Sequence, residues 1–154
     1  MEYLVRAARI TDIERLVALS GAARGDRGNS PMDAADLLRQ LVYLPQASIF
    51  VAEARRDVVG GAVLALRPSV AAGGYVGTVD LLVVDPEHDA DRVSDALIEE
   101  LLRSAGNKGC TVVEAARPND PAERTRWERQ GFVETGPLMG RAVDAVGATA
   151  RRAP

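Results

Sequence analysis

The chain has 154 residues, 47% hydrophobic and 27% charged, with a net charge of −3, the size and balance of one globular domain with a sizeable core. The negative balance and scattered arginines leave no basic stripe for nucleic acid, and no apolar run approaches a membrane span. A single cysteine, Cys110, and a single histidine, His88, argue against a disulfide framework and against a zinc site of the usual kind, so a metal-free protein of a reducing cytoplasm is expected.

The start, MEYLVRAARI, lacks the charged and long apolar stretches of a signal peptide. Residues 3–8 suit a short strand. Thr11-Asp12 then opens a helix with Ile13, Leu16, Val17 and Leu19 on one face. AARGDRGNS, 22–30, is a loop. Ser30-Pro31-Met32-Asp33 spells a helix start, with Ser30 as N-cap, Pro31 at the first helical position and Asp33 reaching back. Leu37, Leu38, Leu41 and Val42 carry that helix to about Tyr43.

SIFVAEA (48–54) and VVGGAVLAL (58–66) read as two strands joined at ARRD, a hairpin. A turn at 71–74 leads to a long strand, 75–84. The pattern then predicts a helix over 90–105, a strand over 110–116 and a helix over 121–130. Two closing strands follow, at Gly131-Phe132-Val133 and 138–143. The domain is expected over 1–143, with 144–154 as a flexible tail. Antiparallel strands followed by a β-α-β crossover imply an α+β fold: a mixed, mostly antiparallel central sheet flanked by helices. Neither GxGxxG nor GxxxxGK[ST] is present.

Several stretches carry a resemblance. VRAARITDIERLVAL is similar to the opening strand and helix of the GNAT N-acetyltransferase superfamily. FVAEARRDVVGGAVL is similar to its central hairpin, with Gly60 at a frequent glycine. VDLLVVDPEHDADRVSDALIEELL resembles its cofactor motif. Arg117-Pro118-Asn119 with RWERQGF resembles its closing segment. The resemblance spans residues 3–143. It implies the GNAT-like acyl-CoA N-acyltransferase fold, acetyl-CoA as cosubstrate, and direct attack by an amine of a small molecule or peptide on the thioester.

The resemblance also marks where this chain departs. The family's R/Q-x-x-G-x-G/A window falls on Asp89-Ala90-Asp91-Arg92-Val93-Ser94. A helix N-terminus offers free N–H groups to a pyrophosphate, and glycine lets the anion approach without a Cβ in the way. Here Asp89 or Asp91 can cap the helix with its own carboxylate and occupy those amides. Arg92 is a side-chain phosphate ligand or the partner of a nearby acid. By this resemblance Asp91, Arg92, Val93, Ser94, Asn119 and Trp127 would contact the cofactor. A backbone N–H among Leu82, Val83 and Val84 would polarise its carbonyl.

Two carboxylates qualify as the base. Asp80, the lone acid in an apolar strand, falls where many members carry glutamate, and burial would raise its pKa; the other reading is an exposed residue of an alternating strand. Glu114 sits similarly in the next strand. The family's tyrosine acid is Trp127 here, whose indole N–H donates hydrogen bonds but transfers no proton at useful pH. Trp127 also reads as a core residue, Cys110 as core packing, and Gly60-Gly61 and Gly73-Gly74 as packing and turn features. Asp26 and Asn29 would border the acceptor.

An acetyltransferase is the first expectation, with a homodimer as one possible assembly. The alternative is a non-catalytic GNAT-like binding or regulatory domain that has lost acetyl-CoA. An enzyme keeps a wedge open between the fourth and fifth strands. A lapsed one fills it with side chains such as Trp127 or Arg92.

Overall fold

A computed structural model describes residues 1–24, 33–136, 139 and 141–142. Strand β1 (Leu4–Ala7) leads through a single 3-10 turn into helix α1 (Ile13–Arg24). Helix α2 is Ala34–Val42, strand β2 Ala47–Ala54, strand β3 Asp57–Ser69 and strand β4 Gly74–Val84. Helix α3 (Ala90–Asn107), strand β5 (Cys110–Ala115) and helix α4 (Pro121–Arg129) complete the order. The sheet runs β1-β2-β3-β4-β5, antiparallel throughout except for the parallel β4–β5 pair that α3 connects. The expected α+β architecture, a mixed and mostly antiparallel sheet flanked by helices, is therefore the one observed.

Each face of the sheet has its own core. Val93, Leu97, Leu101 and Ala105, one stripe of α3, bury against Ala52, Ala54, Val59, Ala62 and Leu64. On the other face Ile13 and Leu16 of α1 and Leu38 of α2 bury against Ile49, Val51 and Val63. Gly60 and Gly61, adjacent in β3, let both helices come close. A Cβ on Gly60 would lie 2.8 Å from Val93 Cγ1 and 2.9 Å from the Val83 carbonyl oxygen; one on Gly61 would lie 2.1 Å from Leu16 Cδ2. The β2–β3 hairpin turns on Arg55 and Arg56 with φ of 51° and 72°, the two positive values of a type I′ turn.

Three expectations need correction. Helix α2 has Asp33 as its N-cap, accepting from the Asp36 N–H, so Asp33 starts the helix and does not reach back into it; Ser30, Pro31 and Met32 lie outside the described residues, as do Asp26 and Asn29. Gly131-Phe132-Val133 is not a strand. Gly131 takes φ +89° just past α4, its N–H donating to Glu128 O and that of Phe132 to Trp127 O. That is a Schellman cap, completed by Phe132 packing edge-on against Trp127 at 4.7 Å between ring centroids. Of the strand expected at 138–143, Met139, Arg141 and Ala142 are described and are not in a strand.

Candidate functional site

Strand β4 is paired on both edges only from Tyr75 to Val79, where β5 ends opposite it at Ala115. Its register with β3 passes from Val63↔Leu81 to Leu64↔Val79, so Asp80 is the extra residue of a β-bulge. A bulge bends its strand and re-aims a side chain. Beyond it, the two strands part and a wedge opens.

The backbone direction in the open part follows from two contacts. The Asp85 N–H donates to Val59 O at 2.8 Å, and the Val83 carbonyl lies against Gly60. Residues 83 and 85 therefore turn their peptide groups to β3. Alternation along the strand turns those of Leu82 and Val84 to the side that β5 has left. Both line the wedge and Val83 does not.

The wedge is a cavity of about 360 Å³. Val79, Asp80, Leu81, Leu82 and Val84 of β4 form one wall; Ala90 and Ser94 of α3 form the floor; Ala115, Ala116 and Pro118 form the second strand's side. Glu123, Arg126 and Trp127 of α4 cover it. The small residues at 90, 94, 115 and 116 keep it open. Trp127 is half-buried and lines the cavity without filling it.

Asp80 is exposed, as the second of its two readings had it, and lines the wedge. Glu114, half-buried and opposite Thr78, does not line the wedge. Asn119 is exposed ahead of α4, outside the lining. Val93 is fully buried against Gly60, a core residue. Ser94 is buried and borders the cavity. Arg92 turns elsewhere: its guanidinium donates to Met1 O at 2.6 Å and lies 5.3 Å over the Tyr3 ring. Among the described residues its partners are that carbonyl and that ring, and no acid pairs with it.

The loop before α3 satisfies most of its own amides. Glu87 N–H donates to Asp85 Oδ1, His88 N–H to Asp85 O, and Asp89 N–H to the Tyr3 hydroxyl at 3.4 Å. Asp89 is the N-cap, accepting from Arg92 N–H at 3.2 Å, and Val93 N–H donates to Asp89 O. The first two helical residues, Ala90 and Asp91, keep the amides that a helix start leaves free.

The acids of α3 are engaged as well. Asp91 accepts from Arg126 Nε at 2.6 Å, and Arg126 holds its carboxyl below the usual range. Asp95 accepts from Arg129 at 2.9 Å and from Gln130 at 3.1 Å. The α3 acids are four residues apart and the α4 arginines three, each pair one turn along its helix, so the two sets meet face to face. Glu123 and Arg126 were not among the residues picked from sequence. The matched spacing of Asp91/Asp95 and Arg126/Arg129 was the available signal.

The Acetyltransferase (GNAT) family model matches residues 10–132. The chain belongs to the GNAT acetyltransferase family. A search among curated proteins gave no match. Solved structures share the fold. Glucosamine-6-phosphate N-acetyltransferase from Arabidopsis thaliana superposes with a TM-score of 0.74 at 16% identity, over 94% of this chain and 100% of that one. Ribosomal-protein-alanine N-acetyltransferase from Brucella melitensis gives 0.70 at 15%, over 94% and 99%. An integron cassette protein from the mobile metagenome of Cole Harbour Salt Marsh gives 0.77 at 25%, over 94% and 93%. No helix among the described residues of this GNAT chain is long and apolar enough to cross a membrane.

Proposed function

We propose that this GNAT domain transfers an acetyl group from acetyl-CoA to an amine of a small molecule or peptide. The observation that carries the reading is the parting of β4 and β5 after Val79, which leaves the peptide groups of Leu82 and Val84 facing a cavity that Asp80 also faces. A slot with free strand amides suits the amide-rich pantetheine arm, which can pair with them as a strand would. Trp127 gives that arm an apolar wall. In this reading a Leu82 or Val84 N–H donates to the thioester oxygen as charge develops on it. The neutral amine attacks the carbonyl carbon, and its proton passes to Asp80 and on to water. The C–S bond breaks with the electron pair on sulfur, which takes its proton from water because Trp127 has none to give.

One observation favours the non-catalytic alternative. The phosphate-binding turn spends its amides on Asp85, Tyr3 and Asp89. A calorimetric titration with acetyl-CoA separates the two readings. Micromolar binding supports the transferase, and an amine screen by thiol release follows. With an acceptor in hand, Asp80→Asn is expected to lower kcat about a hundredfold with the cofactor Kd unchanged. Equal turnover of the two proteins would remove Asp80 as the base. Silence at millimolar acetyl-CoA would leave the binding-domain reading in place.

A further inference from the structure

We infer that Arg126 is the residue that meets the pyrophosphate of coenzyme A in this chain, and that Asp91 holds it in reserve until the phosphate arrives. The inference rests on the acetyl-CoA reading above. Three features lead to it. Among the described residues, Arg126 is the one cation lining the wedge, beside Ala90 and Ser94 at its α3 end. Its side chain is largely covered, at 21% exposure, while that of its partner Asp91 is 59% exposed. The two meet through a single Nε–Oδ1 contact, which leaves the rest of the guanidinium fork unused in that pair.

The glycine-loop solution is closed to this protein. Most of its amides have partners of their own, all but those of Ala90 and Asp91, and a Cβ stands at residue 92 where the family has glycine. The side chain of Arg92, the nearest alternative, is committed to Met1 and Tyr3. A negative group arriving at the free amides of Ala90 and Asp91 would come up against Arg126. Exposed, single-contact ion pairs are weakly held and screened by salt. A pyrophosphate offers more charge and more oxygens, and suits the bidentate fork better than one carboxylate oxygen does. The exchange then runs toward phosphate, and Asp91 turns to water. The pair tunes affinity: Asp91 competes with the cofactor for the cation on which the cofactor depends.

Opposite effects of the two partners are the test. Arg126→Gln is expected to weaken coenzyme A binding roughly tenfold and to flatten its salt dependence. Arg126→Lys, which keeps charge without the fork, should fall between. Asp91→Asn is expected to tighten binding several-fold. The 3′-dephospho form of coenzyme A should show the same losses, because it keeps the pyrophosphate. If Arg126→Gln weakens coenzyme A but spares the dephospho form, the contact is with the 3′-phosphate and the inference fails. If both substitutions weaken binding alike, the pair is only a brace between α3 and α4. Binding that ignores both removes Arg126 while leaving the acetyl-CoA reading intact. No binding by the parent or any variant at millimolar ligand overturns that reading, and this inference with it.

Discussion

Between Tyr75 and Val79, β4 is held by a strand on each edge; from Asp80 to Val84 it has, among the described residues, β3 alone. The open half would be the weaker if edges were all that mattered. Its compensation lies on the faces. Opposite Val83 and Val84, β3 carries Gly61 and Gly60, which let α1 and α3 press onto the sheet from both sides. At its end, Asp85 donates its N–H to Val59 O and takes Arg15, which also donates to Val58 O. A strand edge can be left free for a ligand when packing above and below fixes the strand in place of a neighbour.

The severest way to break this arrangement is Gly60→Val. The new side chain would meet the Val83 carbonyl at 2.9 Å, and backbone cannot rotate aside as a leucine tip can. A loss of about 3 kcal/mol in urea unfolding is expected. A midpoint unchanged from the parent would mean that α3 can lift off the sheet, and that face packing does not hold the open half.

Ala115→Phe separates the two properties. Ala115 closes the paired half and borders the cavity, so a ring there would enter the wedge. Acetyl-CoA binding is expected to fall at least a hundredfold, with stability moving less than about 1 kcal/mol because the ring enters open space. Retained binding would place the ligand elsewhere.

Asp85 gives a pH handle on the open half. The Glu87 amide, and then Arg15, hold its carboxyl below the usual carboxylate range. Its contribution is therefore complete above the unfolded value of about 4 and fades as pH falls from there through the lower native value. Asp85→Ala is expected to lose about 1–2 kcal/mol at neutral pH. The parent–variant gap should narrow on acidification below about pH 4; a constant gap would assign the loss to packing.

The closed half of this comparison was the more legible in the sequence. Apolar β-branched runs bounded by turn residues set β2 and β4 to within one residue and β3 to within three, because strands buried on both faces read as near-continuous apolar stretches. Glycines 60 and 61 read as packing features, and Asp89 as a possible cap, from local chemistry alone. The bulge at Asp80 was hidden, since it depends on the register with Val63 and Leu64 in the neighbouring strand. So were the Arg126–Asp91 and Arg129–Asp95 pairs, which exist only once α3 and α4 are side by side. Gly131 misled in a different way: Gly-Phe-Val looks like strand, but its first residue is the positive-φ end of α4.

Those α3–α4 pairs set the smallest expected effect. Helix α4 has no buried residue, so apolar packing gives it little and its seat over the wedge depends on its side-chain pairs with α3. Asp95 accepts two bonds from Arg129 and one from Gln130, all partly open to solvent. Asp95→Ala is expected to change global stability by less than about 1 kcal/mol. The change should be local: amide exchange in 121–129 should quicken while α3 and the sheet keep their protection. Uniform loss of protection would show that α4 unfolds only with the whole domain. Confinement to α4 would make it a separately hinged cover, held by charge over a cavity whose walls are held by packing.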